Sequence, residues 1–214
     1  FPITIEDEIK ELSVSRLFLS KYFGGSAVAT FPKLLEDNIQ RHGFDNFMCI
    51  NLTLHPHAPS VPGAPGLWMN CNDTKWSDKD MRLVVRVKAT SPTLWQYMGQ
   101  YDVQPSDPLS LQEWTMQSEK TKKGWVKYIR EESWGGSVRV RVKFRKFEGR
   151  EPTEDEEGGL GTPGPEEVTA EEIWQAFDKG EERLYTWSLK CRGYDERFQR
   201  EIWKAASAQV GREE

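Results

Sequence analysis

Between Leu94 and Tyr101 the chain reads LWQYMGQY, and this stretch limits the fold more than any other. Trp95, Tyr97, Gly99 and Tyr101 alternate with Gln96, Met98 and Gln100, a period of two that belongs to a strand with two unlike faces. A glycine inside a strand marks a bulge, or a place where something approaches the backbone closely. Rings beside such a glycine form either a core or a platform for a flat ligand, and the stretch alone leaves both open. Asp102, Pro105, Ser106, Asp107 and Pro108 are then predicted to end the strand with turn chemistry. Ser110 and Glu113 have capping-box spacing, so a helix is predicted to start at Ser110.

Upstream, Glu6 to Lys21 reads as one helix with Ile9, Leu12, Leu17 and Phe18 inward. Gly24 and Gly25 follow it, as a helix cap or as room for a partner. Residues 31–43 hold a second short helical segment, and FMCINLTL from Phe47 to Leu54 reads as a strand. The stretch from His55 to Gly66 has four prolines and two glycines, which makes it a stiff loop ending near Trp68. That loop is a crossover or the wall of a pocket. RLVVRVK, residues 82–88, is a strand. Lys120 to Glu132 reads as a helix interrupted near Gly124, and Gly135-Gly136 as a turn. VRVRVKFRKF, residues 138–147, reads as the clearest strand, with Val138, Val140, Val142 and Phe144 inward. Two more helices are predicted at 170–179, from the capping-box pair Thr169 and Glu172, and at 195–208, whereas 183–190 stays ambiguous.

The chain has 214 residues and a net charge of -5, which conceals an asymmetry. Residues 1–150 hold 21 Lys+Arg and 17 Asp+Glu, whereas residues 151–214 hold 8 and 17. Within 120–150 there are 11 basic and 3 acidic residues. If 138–147 is a strand, Arg139, Arg141, Lys143 and Arg145 share its outer face. An ordinary solvent face mixes signs, so four like charges in a row point to a polyanionic partner, unless acids from elsewhere balance them. Lys120, Lys122, Lys123, Lys127 and Arg130 extend the same basic region. EPTEDEEGGLGTPGPEE, Glu151 to Glu167, is acidic and rich in Gly and Pro, the composition of a flexible loop or linker. The organisation expected is therefore a domain at 1–150, a linker at 151–168 and a helical extension at 169–214 that packs on the domain.

Other chemistries find little support. No apolar run approaches a membrane span, and 29% charged residues suit a soluble protein. The chain opens on Phe1, as an excised or processed piece would, so the lack of a signal peptide carries no information. Cys49, Cys71 and Cys191 are too sparse for a disulfide framework, which favours an intracellular home. Cys49, His55, His57 and Cys71 match no usual zinc spacing, and neither a phosphate loop nor a nucleophile elbow occurs. No cofactor or metal is expected. Asp73 and Lys75 form an acid-x-Lys pair of the kind a metal-dependent nuclease uses, a weak signal.

One order of motifs has a family likeness. Arg16, then YFGGS at 22–26, a Pro/Gly-rich loop, and WQYMGQY at 95–101 together resemble the PUA-like superfamily, and more narrowly the SRA-type domains that read modified cytosine. The chain is also similar to uncharacterised domains of fungal proteins. The likeness covers about residues 14–147. It implies an α+β fold with a curved or closed antiparallel β-barrel and flanking helices. It also implies a base pocket near Tyr22, Gly24, Gly25, Ser26, Tyr97, Gly99 and Tyr101, with Asp102 as candidate for the acid that reads the base edge. Trp68 is a further aromatic wall. Phosphates would meet Arg16, the 120–130 cations and the 139–145 cations. The reading is a nuclear reader domain for double-stranded DNA with a flipped, modified base. The alternatives are a nucleic-acid-processing enzyme, as a metal-dependent nuclease or base hydrolase, and a protein-interaction domain.

Overall fold

The computed structural model describes residues 1–73, 80–159, 163–164 and 166–210. Its strands are β1 (Ser13–Val14), β2 (Phe47–Asn51), β3 (Gly66–Asn70), β4 (Met81–Lys88), β5 (Leu94–Ser106) and β6 (Tyr185–Gly193). The helices among the described residues are α1 (Asp7–Lys10), α2 (Arg16–Phe23), α3 (Glu36–His42), α4 (Leu111–Met116), α5 (Glu119–Glu131), α6 (Gly136–Glu148), α7 (Glu154–Gly159), α8 (Ala170–Asp178) and α9 (Glu196–Val210). The fold is α+β: a curled half-barrel sheet of mixed strands with flanking helices.

The sheet runs β2-β4-β5-β6-β3, and β1 pairs with β5 off that path. β4 and β5 are antiparallel, but β2 and β4 are parallel. The closed antiparallel barrel that the resemblance allowed is therefore not formed. Parallel neighbours cannot share a tight turn, so the chain leaves β2, builds β3 at the opposite edge and only then returns as β4.

Two compact units interleave along the chain. One comprises residues 1–68, 76–104 and 188–214, the other 69–75 and 105–187, and neither ends near residue 150.

In the first unit the predicted helix at Glu6 to Lys21 is split into α1 and α2. Ser13 and Val14 leave the helical path to pair with Gln96 and Trp95, and Ser15 restarts a helix by accepting the Phe18 N–H at 3.0 Å. Gly24, at φ 90°, ends α2. Phe23 then packs against Phe44, Phe47 and Phe198, with ring centroids 5.9, 5.7 and 5.0 Å away. Arg82 of β4 is buried among these rings, its guanidinium 4.3 Å from the Phe44 centroid and 4.6 Å from that of Phe198. It donates to Asp195 Oδ2 at 2.8 Å and to Asn46 Oδ1 at 2.6 Å. A charge in such surroundings persists because it is paired and hydrogen-bonded.

In the second unit both capping boxes are present, Ser110 with Glu113 at α4 and Thr169 with Glu172 at α8. α5 runs through Gly124 without a break. The predicted strand at 138–147 is a helix, α6, which begins at Gly136 instead of turning there and stops at Gly149 in the left-handed region. A strand would line four cations on one face. At about 100° per residue the helix divides them into two stripes, 139/143, which Lys146 continues, and 141/145, each within reach of acids. The predicted linker is partly helical, as α7, and the ambiguous 183–190 segment contributes β6.

Removing Asp195 leaves the Arg82 guanidinium without its carboxylate. Asp195→Ala is expected to lower unfolding free energy by about 3 kcal/mol, measured by urea denaturation. A loss below about 1 kcal/mol would mean that the ring cluster and Asn46 hold Arg82 by themselves.

Burial pushes the His55 imidazole from 6.5 down to about 3, so it folds neutral. As pH falls below 6.5 the unfolded chain binds a proton that the folded chain refuses. Stability should then drop by about 1.4 kcal/mol per pH unit on the way towards 3. A His55→Gln variant should show a flatter acid limb in urea titrations at stepped pH. Parallel limbs for the two proteins would remove His55 as the cause.

Candidate nucleic-acid interface

The structure separates the residues expected at a base pocket. Tyr97 and Tyr101 are 1% and 0% exposed. The Tyr97 ring lies 4.9 Å from Phe198 and 4.8 Å from Tyr194, and its hydroxyl accepts the Asp195 N–H at 3.1 Å. The Tyr101 hydroxyl donates to the Ala64 carbonyl at 2.7 Å, which ties the Pro/Gly-rich loop to β5. Burial raises both phenols well above the ordinary tyrosine value. These rings are core and do not form a platform.

Gly99 behaves as a mid-strand glycine should, but for an internal reason. The register with β4 shifts between Leu83 and Val84, which face Gly99 and Tyr97, so Met98 is the bulged residue. At φ 129° a Cβ on Gly99 would stand 2.9 Å from the Gly193 carbonyl and 3.0 Å from Cys191 Sγ. The group that approaches the backbone is β6 of the same chain.

The remaining members of the expected pocket also have local roles. Trp68 is buried, edge-on to Phe31 at 5.6 Å. Tyr22 is 36% exposed and stacks on Phe18. Gly24 and Gly25 have φ of 90° and 79°, which the exit from α2 requires. Ser26 Oγ accepts the N–H groups of Val28 and Ala29. Arg16, expected on phosphate, is buried and donates to the carbonyls of Ser26, Ala27 and Ala29 and to Cys49 Sγ, with its guanidinium 5.2 Å from the Trp95 centroid. The Arg16…YFGGS pattern thus encodes a pinned loop. Asp102 pairs with Arg192 at 2.7 Å and accepts from Gln104, and the Gln104 and Arg192 hydrogen bonds hold its carboxyl below the usual value.

The cations of α6 are likewise occupied. Arg139 is buried and donates to the carbonyls of Ile129, Glu132 and Pro163. Arg141 forms a fork on Glu182, with Nη2 to Oε2 at 2.7 Å, and reaches Glu157 at 2.6 Å. Arg145 holds the other Glu182 oxygen at 2.5 Å and Glu151 at 2.8 Å, and Lys143 pairs with Glu167. The outward, unbalanced cationic face expected of a strand is absent because the helix turns Arg141, Lys143 and Arg145 towards acids and Arg139 towards buried carbonyls.

The most open row of expected cations lies on α5. Lys120, Lys123, Lys127 and Arg130 are spaced by three, four and three residues, so they lie along one face. Lys120, Lys123 and Lys127 are exposed and Arg130 is half-buried. Lys122, expected with them, is buried on the opposite side with Nζ 5.4 Å from Trp114 and 5.8 Å from Trp174. Beside the stripe a groove of about 220 Å³ is lined by Lys123, Val126, Lys127, Arg130 and Glu131 from α5 and by Ala170, Glu171 and Trp174 from α8. Lys123 pairs with Glu119 at 2.8 Å and Lys127 with Glu131 at 4.0 Å, both on the open surface. Such exposed pairs contribute at most about 1 kcal/mol, so a phosphate can replace the carboxylates.

Among the described residues no three His, Cys, Asp or Glu side chains converge as metal ligands, and no helix is long and apolar enough to cross a membrane. Lys75 of the acid-x-Lys pair lies outside the described residues.

Fold and surface define an α+β domain built on a curled mixed sheet, with a basic helix in its second unit. The chain belongs to the family described as Domain of unknown function (DUF6697), whose model matches residues 13–205. No curated protein and no solved structure matches it.

If Tyr97 is core, Tyr97→Ala should cost about 3–5 kcal/mol of stability, read by thermal or urea unfolding. A variant that unfolds like the parent would return this ring to the list of ligand contacts.

Proposed function

We propose that this chain binds nucleic acid, with double-stranded DNA as the first candidate, through the exposed face of α5. The observation that carries the reading is the unbroken stripe Lys120, Lys123, Lys127 and Arg130, which stays at the surface while Arg16, Lys122 and Arg139 are buried in packing. Ten residues of helix span about 15 Å, so the stripe runs beside about four phosphates of one strand. Trp174 at the groove wall adds an apolar surface that a sugar or base edge can meet. Contacts of this kind position the backbone and carry no sequence information by themselves.

The curled mixed sheet and the order of motifs support a PUA-like relationship, which would make the domain a nucleic-acid module of the nucleus. The flipped, modified base is not part of the proposal, because Tyr97 and Tyr101 are enclosed.

Lys120→Glu/Lys123→Glu/Lys127→Glu reverses the stripe on exposed positions and should leave the fold intact. With a labelled duplex in a fluorescence anisotropy titration, parent affinity should fall with log salt at a slope of about −3 to −4. The reversed protein should lose binding at about 0.15 M salt. A single strand of DNA or RNA in the same titration identifies the preferred backbone. Parent binding that is absent or indifferent to salt, or that the reversal leaves unchanged, would refute the proposal.

A further inference from the structure

The ion pairs on α6 and at Arg150 just past its end fall into two groups, and the difference bears on the nucleic-acid reading, on which this inference rests. Glu182 is 3% exposed and holds Arg141 and Arg145, so taking either arginine away would strand a buried carboxylate. The pairs Lys143–Glu167, Lys146–Glu172 and Arg150–Glu156 are different. Both partners are open to solvent, with side-chain exposures of 38% and 40%, 41% and 27%, and 46% and 33%. Each carboxylate also has a second partner that is independent of its cation. Glu156 accepts the Thr153 N–H at 2.8 Å, Glu167 the Gly164 N–H at 3.1 Å, and Glu172 the Thr169 N–H at 2.9 Å. When another anion takes the cation, the glutamate keeps that backbone hydrogen bond and its remaining lone pairs face water. The exchange leaves no orphaned buried group on either side. Glu148, which also meets Arg150 at 2.6 Å, is 47% exposed and does not change this.

The three glutamates come from separate places: α7, the turn before α8, and the first turn of α8. Together they set carboxylates along Lys143, Lys146 and Arg150. A phosphodiester backbone offers the same chemistry, a row of anionic oxygens at regular spacing.

We infer that Lys143, Lys146 and Arg150 form a second phosphate-binding surface, held closed in this structure by the chain's own Glu156, Glu167 and Glu172. These three glutamates compete in cis with nucleic acid and reduce the number of phosphates the domain contacts. Binding through α5 proceeds with the cover in place, and a sufficiently anionic strand displaces it to gain the α6 contacts.

Glu156→Gln/Glu167→Gln/Glu172→Gln tests this directly. Glutamine keeps the acceptor oxygen that caps each backbone N–H and removes only the charge. The neutralised protein should bind the labelled duplex about tenfold more tightly than the parent at about 0.15 M salt, with a salt slope steeper by about 2–3. Adding Lys143→Gln/Lys146→Gln/Arg150→Gln on that background should abolish the gain, and a charge-matched control that neutralises three exposed acids of the first unit, Glu8→Gln/Glu11→Gln/Glu36→Gln, should give no comparable gain, which separates local unmasking from the change in net charge. Unfolding curves establish that each variant is folded. A parent that binds as well as the neutralised protein, with the same slope, overturns the inference and leaves the α5 reading standing. A gain that survives the second set of substitutions overturns it too, as does a neutralised protein that fails to bind any nucleic acid. Binding by the neutralised protein alone, lost on removing Lys143, Lys146 and Arg150, sinks the α5 reading and the initial α5-bound step with it, and sustains the masked phosphate surface.

Discussion

The second unit depends on one buried carboxylate. Glu182 is nearly inaccessible and accepts from two guanidinium groups at once, Arg141 through a fork and Arg145 through Nη2. A lone carboxylate at that depth would be too poorly solvated to remain charged. With two arginines four residues apart it is satisfied, and four residues is the spacing at which helix neighbours present side chains to the same point. A strand would carry the two arginines on one face about 13 Å apart, too far to chelate one carboxylate. Glu182 therefore selects the helical form of 136–148 against the β-branched alternation of its sequence. The same choice determines which cations face the solvent.

That competition explains where the sequence was readable. The elements with local, self-contained signals came out as expected: the strand at 82–88, the two capping boxes with the helices they open, and the strand at 95–101, although β5 runs on to Ser106 instead of ending in a turn at Asp102. Each is defined by groups within a few residues of one another. The segment 138–147 failed because its alternation was taken as period two when Arg141 and Arg145 also have the helical spacing. The deciding partner lies 37 residues beyond Arg145. One local signal pointed the right way, Gly149 immediately after the basic run, where a helix stop belongs. The split of the first helix was similarly non-local, since Ser13 and Val14 become a strand only because β5 offers Gln96 and Trp95 as partners.

The candidate site was legible in type and not in place. An aromatic, glycine-punctuated strand and a basic region are both visible in the chain. Whether a ring faces a ligand or a core depends on what covers it, and for Tyr97 the cover is Phe198 and Tyr194, about a hundred residues away. Gly99, in the middle of that strand, makes room for a backbone carbonyl of β6. Of the basic region, the exposed part is the one whose cations follow a clean helical stripe, and that periodicity was present in the sequence.

The position of β6 has a consequence for how the molecule is made. The strand between β5 and β3 is the last one in the chain, while its neighbours are encoded about 90 and 120 residues earlier. During synthesis from the N-terminus, one edge each of β3 and β5 must wait for about eighty or more further residues before it acquires a partner. Contacts of such long sequence separation are slow to form, and edges left open in the interval can pair with other chains. A nascent chain of this topology is therefore one for which the pace of translation and the presence of holding chaperones matter more than its final stability.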